Sequence, residues 1–413
     1  MMLKNKFFRQ GGGGVLICVF SFCFQTQVVF SDETLYTGII NLLPDSFILP
    51  ALGVINIIYG DYYSAELGGL NVVESSLSGA QVGGINIIGS DMTGLQFGLF
   101  LNSNRGDMKG AQIGIVNLND MNTNGFQSGL LNVSGEDFVG VQAGAFNYTG
   151  GDYAQGNQTG LISVNMGLFT GAQTGGINVS AKGLEISQVG GINYAGDSVE
   201  GSQSGIINIV TGTLTGLQIG LFNYAESLDD DGFQMGLLSV VRDGGYFAFE
   251  TAYSNLTSMS FRMMSGARKL YSILSAEINI KQFPPTLTGI EFISVSFGMG
   301  TILNLGYNKY LILEAAISLP ITSIISLLPM SLPSTVPVPE ARMSEFSFSI
   351  TALPKLGISF SEDTSSLSAG PVFTFDYKPE YMPDTINIAE TMINRDWRLT
   401  FGFEIALRIE LTH

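Results

Sequence analysis

The sequence predicts an all-β chain, a solenoid of 15-residue repeats followed by an antiparallel β-barrel of 8 to 10 strands. Three observations carry this reading. A Gly-x-Gln-x-Gly-x-x-Asn unit returns every 15 or 16 residues through the first half of the chain. Long segments of the last third alternate apolar and polar residues, the period of a strand. The composition is 45% hydrophobic and only 13% charged, with 52 glycines and a mean hydropathy of +0.30. That is too apolar for a disordered chain and too glycine-rich for an ordinary enzyme.

The repeat is the most specific signal, and "GAQIGIVN" at 110–117 is one copy of it. Its glutamines fall at Gln81, Gln96, Gln112, Gln127, Gln142, Gln158, Gln173, Gln188, Gln203, Gln218 and Gln234. A glycine follows each of them by two residues, and another precedes each by two, except at Ile186. Five residues after the glutamine stands Asn86, Asn117, Asn132, Asn147, Asn178, Asn193, Asn208 or Asn223, with Leu101, Ser163 and Ser239 as departures. Asn41, Asn56 and Asn71 carry the spacing upstream without the glutamine, giving about fourteen units between Tyr36 and Val241.

Fifteen residues are too few for a helical-hairpin repeat. The apolar residues lie four and six places after the glutamine, as in Val116 and Leu118 or Phe146 and Tyr148, which is strand spacing. Two or three short strands with glycine bends would complete one coil. Coils stacked about 4.8 Å apart align equivalent residues in rows. Rows of Ile, Val and Phe are then expected to fill a narrow core. Rows of Asn and Gln can hydrogen-bond from coil to coil. The competing arrangement makes each unit one strand of a large antiparallel barrel, whose natural repeat is a hairpin of about 25 residues or more. A translation of single units, and a change of parity between glutamine and asparagine, favour parallel stacking.

Residues 1–31 read as an export signal. Lys4, Lys6 and Arg9 precede the apolar stretch Val15 to Phe24, and Val29-Phe30-Ser31 offers a cleavage site. The alternatives are a buried N-terminal strand or a lipoprotein signal ending at Cys23. Both cysteines, Cys18 and Cys23, lie in this segment, so cleavage removes all thiol chemistry. It also takes three cations and no acid from a chain with 18 cations and 35 acids, leaving a net charge of −20. A surface of that sign repels nucleic acid. Residues 32–243 then form the repeat domain and 244–413 the barrel domain.

Tandem units of this kind behind an export signal resemble the surface-repeat proteins of spirochaetes and some other diderm bacteria. The resemblance covers roughly residues 36 to 241. It implies a cell-envelope location and no reaction.

After Gly244-Gly245 the texture changes. "WRLTFGFEIALRIELTH" places Leu399, Phe401, Phe403, Ile405, Leu407, Ile409 and Leu411 on one face. Arg398, Thr400, Glu404, Arg408 and Glu410 fall on the other. Such a strand is long enough to cross an outer membrane, where about 9 to 11 residues suffice. It resembles the last strand of outer-membrane barrels, without their closing aromatic residue. Further alternating segments run at 293–305, 311–317, 346–350, 356–360 and 373–377, with Tyr307-Asn308-Lys309 as a turn. A soluble β-sandwich is the alternative, with strands commonly about 5 to 6 residues long. The segment 318–342, with Pro320, Pro329, Pro333, Pro337 and Pro339, reads as a long connection.

Chemistry has few residues to work with. The single histidine is His413, so histidine-based triads and zinc clusters are excluded. The glycines show no phosphate-binding loop. Asp229-Asp230-Asp231 reads as a solvated turn rather than a calcium loop. Asp91, Asp107, Asp120 and Asp137 fall between motif positions and read as turn residues that confer solubility. Glu404 with Arg398 and Arg408 reads as a charge ladder on one strand face. No enzyme activity, cofactor or metal is expected. The expected partners are outer-membrane lipid and host or envelope macromolecules. The expected role is a scaffold or adhesion surface anchored by the barrel, with a small-solute channel or a glycan-binding solenoid as alternatives.

Overall fold

The computed structural model describes residues 16–19, 26–29, 36–44, 48–256, 259–280, 290–306, 308–321, 347–359, 365–377, 389–394 and 397–411. Most of the expected export segment and most of the proline-rich connection lie outside them, as does His413. Two compact units are present, residues 1–191 and 192–413. The second holds the last repeats together with the barrel.

The repeats form parallel ladders in strict register, which is a solenoid and not a set of antiparallel barrel strands. Gln112 pairs with Gln127 and Gln127 with Gln142, while Asn117 pairs with Asn132 and Asn132 with Asn147. A typical coil is one bent strand of 12 residues, such as Met108–Asn119, Thr123–Ser134 or Phe138–Thr149, closed by a short turn. Two or three separate short strands were the expectation; the bends occur within a continuous strand. At the start of the chain, Leu16–Val19 pairs antiparallel with Thr26–Val29, which pairs antiparallel with Tyr36–Leu43.

Glycine makes the bends possible. Two residues before the glutamine, Gly94, Gly110, Gly125, Gly140 and Gly156 have φ between +128° and +153°. A Cβ on Gly140 would stand 1.8 Å from the carbonyl oxygen of Gly125 in the coil below. Neither the conformation nor the space admits a side chain.

The core of the coils corrects the expectation. Ile, Val and Phe at four and six residues after the glutamine are half-buried or exposed, as Phe146 and Phe222 are. The glutamine and asparagine rows point inward instead, at 0–2% exposure. Strand alternation requires this, because an inward Asn five residues on turns both its neighbours outward. Apolar side chains complete the interior four residues before the glutamine, at Leu77, Met92, Met108, Phe138, Phe169 and Leu184. The last strand position adds Ile88, Asn104, Asn119, Ser134, Thr149 and Asn165.

The described strands between residues 246 and 410 form a second, antiparallel sheet. Its strands are Tyr246–Ser254, Met259–Ala267, Leu270–Ile280, Ile290–Gly306, Lys309–Pro320, Phe348–Ser359, Ser365–Tyr377 and Trp397–Glu410. The last of these pairs with the first, so eight strands close a barrel. A ninth, Ala389–Asn394, pairs beside the start of Trp397–Glu410. The segments read separately at 346–350 and 356–360 belong to one strand, Phe348–Ser359, while Phe346 and Phe360 lie outside the described residues. At the expected turn Asn308 takes φ 59°, the left-handed geometry that a tight hairpin needs.

Substituting Gly140 by alanine should destabilise the chain by roughly 2 kcal/mol, from backbone strain and the forced separation of two coils. Thermal unfolding followed by far-ultraviolet circular dichroism measures this, and an unchanged transition would contradict the bend assignment.

Candidate functional site: the amide rows and the barrel lumen

The residues singled out by the repeat are brought together as two hydrogen-bonded rows. In the glutamine row Nε2 donates to Oε1 of the preceding coil, as from Gln112 to Gln96 at 2.8 Å and from Gln127 to Gln112 at 2.8 Å. At most rungs the second amide proton goes to the backbone carbonyl six residues ahead, as from Gln127 to Val133 at 3.0 Å, while Gln158 donates to Thr149 Oγ1 at 3.0 Å. In the asparagine row donation runs the other way, from Asn102 to Asn117 and from Asn117 to Asn132, both at 2.8 Å. Asn117 Nδ2 also donates to the Ser128 carbonyl at 2.8 Å. Both amide protons and the carbonyl are thus used at Gln127 and at Asn117. A buried primary amide costs several kcal/mol without partners and little with them.

The opposed directions also set the side-chain dipoles of the two rows against each other. A stack of parallel rows would accumulate a dipole along its axis; two opposed rows cancel it.

The register corrects one departure. Asn86 pairs with Asn102, not with Leu101, because an irregularity in the Met92–Asn104 strand accommodates the extra residue of that unit. Ser163 is a true substitution, whose Oγ accepts from Asn147 Nδ2 at 3.3 Å. Ser239 accepts from Asn223 in the same way, and Ser272 Oγ of the barrel lies 3.1 Å from Ser239 Oγ. Ser239 N also donates to Ser265 Oγ at 3.3 Å. Within the second unit the asparagine row therefore runs into barrel strands.

Glu66 is the residue that reading the motif missed. It occupies the glutamine position of its coil, paired with Ala51 on one side and Gln81 on the other. Gln81 Nε2 donates to Glu66 Oε2 at 2.6 Å. Ala51 offers no side-chain acceptor, so the row ends on a group that only needs to accept. Burial pushes this carboxyl up to about 7, against the lowering effect of the Gln81 hydrogen bond. The sequence signal was available, since Glu66 is the only charged residue at a glutamine position of the array.

The turns carry the acids. Asp91 Oδ1 accepts from Asp107 N at 2.9 Å, Asp107 Oδ1 from Asn122 N at 3.2 Å, and Asp137 Oδ1 from Tyr153 N at 3.0 Å. These carboxylates stitch successive turns together as well as solvating them, while Asp120 is exposed. In the Asp229-Asp230-Asp231 turn the backbone carbonyls of Asp229 and Asp230 accept from Lys269 Nζ, at 2.9 Å for Asp229.

The barrel lumen holds a second constellation. Lys355 Nζ lies 2.8 Å from Glu250 Oε1 and 2.7 Å from Glu314 Oε2. Arg408 bridges Glu250 at 2.8 Å and Glu314 at 2.7 Å, and donates to the Tyr246 hydroxyl at 2.9 Å. Arg262 joins Glu250 and Glu404. Three cations and three carboxylates, all at most 6% exposed, balance one another. Arg398 pairs separately with Asp376 at 3.0 Å.

The ladder expected along Glu404, Arg398 and Arg408 does not form on one strand, because residues four or six apart stand some 13 to 20 Å from each other. The charges pair across strands instead. Arg262, Lys355, Glu250 and Glu314 had no sequence signal beyond being polar positions in alternating segments. The structure supplies their convergence.

Compared with known proteins, the chain matches no family model, no curated protein sequence and no solved structure at a significant level.

Glu66 generates a pH prediction. The unfolded carboxyl titrates near 4.5 and the folded one near 7, so the unfolded chain loses its proton first. Stability is full below about pH 4.5, falls as pH rises towards 7 and levels off above it. Glu66→Gln, which can donate to the carbonyl six residues ahead, should therefore gain up to about 3 kcal/mol over the parent at pH 8 and nothing at pH 4. Denaturant unfolding at the two pH values reads the difference; parallel pH profiles would rule the assignment out.

Proposed function

We propose that this chain is a non-enzymatic protein of the outer membrane of a diderm bacterium. In this reading the C-terminal barrel is a plugged anchor, and the amide-cored solenoid is a scaffold or adhesion surface. The observation that carries it is the polarity of the barrel. Ser272, Ser296, Glu314, Lys355, Asp376, Glu404 and Arg408 face inward and are buried, while Phe261, Ile317, Ile350, Leu356, Phe403 and Ile405 face outward and are 40% exposed or more. A water-soluble barrel of this size has the opposite arrangement; a barrel in lipid has this one. Most of its strands have 11 to 17 residues, enough to span a bilayer at a tilt.

Aromatic placement supports the same reading. Phe348, Tyr377 and Trp397 meet across three adjacent strands at one end of the barrel, with ring centroids 5.2 to 5.8 Å apart. Tyr and Trp at strand ends suit the boundary between hydrocarbon and water. The repeat motif and the basic, then apolar, N-terminal segment favour export to the envelope.

The channel reading is the weaker one. An eight-stranded barrel leaves an interior just wide enough for side chains to fill it. Here the cluster around Lys355 and Arg408 fills it with groups already paired. The glycan-binding reading loses its main candidates, because the repeated Gln and Asn side chains are buried and bonded to one another.

Extraction of the protein should require detergent, and the unheated sample should migrate faster on a gel than the heated one. Reconstitution in a planar bilayer should give no steady conductance. Full solubility without detergent would overturn the barrel anchor, and a steady ion current would restore the channel. Lys355→Met, which strands three buried carboxylates with two cations, should cost about 3–5 kcal/mol. It would appear as a lower temperature for the shift to the heated form.

A further inference from the structure

We infer that the solenoid carries a lipid-embedding ridge, so that its coils lie partly in the surface of a bilayer while their turns stay in water. Charge is distributed unevenly around each coil. Take, in each of the fourteen coils, the nine residues from the one before the glutamine position to the seventh after it. Across all of them the only charged residue is Glu66, which is buried in the glutamine row. Among the described residues, every other acid or base of the array except Glu226, near the end of Leu217–Leu228, falls in the turn or on the first residues of the following strand, as Asp61, Asp91, Lys109, Asp137 and Glu185 do.

The charge-free part points outward and is apolar. Leu99 is 60% exposed and Phe100 57%, Leu130 57%, Leu161 65% and Phe222 45%. The consecutive outward pairs Leu99-Phe100 and Leu221-Phe222 mark a convex corner, since two neighbours of a straight strand cannot face the same way. In the first unit ten coils, from the one with Asn41 to the one with Asn178, repeat this corner at steps of about 4.8 Å, a ridge on the order of 40 Å long. Continuous apolar surface on that scale exceeds what a soluble monomer ordinarily shows.

Shape and charge choose lipid as the occupant. A convex ridge meets a second rigid copy along little more than one row, whereas acyl chains conform to both of its flanks. The side chains nearest the turn include Tyr148, Tyr194 and Tyr224, whose polar tips suit the boundary between hydrocarbon and water. The acidic turns lie in the part of each coil farthest in sequence from the ridge, so immersion of the corner desolvates no exposed charge. Because those turns repel anionic headgroups, a zwitterionic surface is the fitting partner.

The test uses the full chain reconstituted in phosphatidylcholine vesicles whose acyl chains carry bromine, a contact quencher of tryptophan. With Trp397 replaced by Phe, single tryptophans are placed on the ridge (Phe100→Trp or Phe146→Trp), on a turn (Met121→Trp) and on the outer barrel wall (Phe403→Trp). The ridge tryptophans should lose most of their emission relative to unbrominated vesicles, and the turn tryptophan should lose none. Quenching at Phe403→Trp with full emission at both ridge positions would overturn the ridge and leave the barrel anchor standing. The reverse pattern would support the ridge and remove the anchor. Ridge tryptophans shielded from both bromolipid and aqueous iodide, in a chain that cross-links as a dimer, would assign the ridge to a second copy and overturn the proposal. Leu130→Lys with Leu161→Lys, both at exposed positions, should reduce quenching at Phe146→Trp without shifting the circular dichroism spectrum.

Discussion

The solenoid depends on one coincidence of lengths. Parallel strands stack at about 4.8 Å, and primary amides one above another at that spacing can donate and accept between side chains in an unbroken row. Gln112, Gln127 and Gln142 show the result, each donating to the coil before it at 2.8 Å. The same spacing makes every rung conditional on its neighbours. An isolated buried amide is costly, so the coils are stable as an array and not singly.

The requirement propagates outward. Inward amides at the glutamine and asparagine positions force the residues beside them to face outward. The glycines that allow the bends must lack side chains, because the carbonyl of the coil below occupies the space. Glu66 then follows from the end of the row, where a donor has no side-chain partner and an acceptor suffices. The interior combines hydrogen-bonded amides with buried apolar side chains such as Leu77, Met92 and Met108, and much of the remaining apolar content of the sequence is displaced to the surface.

The barrel reaches the same polarity by a different route. Its interior carries charges instead of amides, and neutrality comes from Arg262, Lys355 and Arg408 set against Glu250, Glu314 and Glu404. Removing water from such a group is tolerable only when every charge has a partner. Tyr246 and Tyr271 add hydrogen bonds to Arg408 and Glu314. The lumen is thus a packed electrostatic core, and its apolar complement lies on the outer wall. The repeated serines of these strands, Ser272, Ser294, Ser296 and Ser318, fill the remaining inward positions with small polar groups.

Much of this was legible in the sequence, and the divide has a physical cause. Periodicity alone determined the solenoid, the parallel register, the amide rows and the alternating barrel strands, because each is a local pattern repeated along the chain. It did not decide which face of the coil was the inside. Gln127 and Leu131, four residues on, have competing claims to the interior, and hydropathy argued for the wrong one. The choice depends on whether Gln112 and Gln142 are in reach of Gln127, a relation between coils. The extra residue that puts Asn102 in the row, and the meeting of Lys355 with Glu250 and Glu314, were hidden for the same reason. Hydrogen bonds and ion pairs between strands are decided by stacking and closure, so only the tertiary structure could place them.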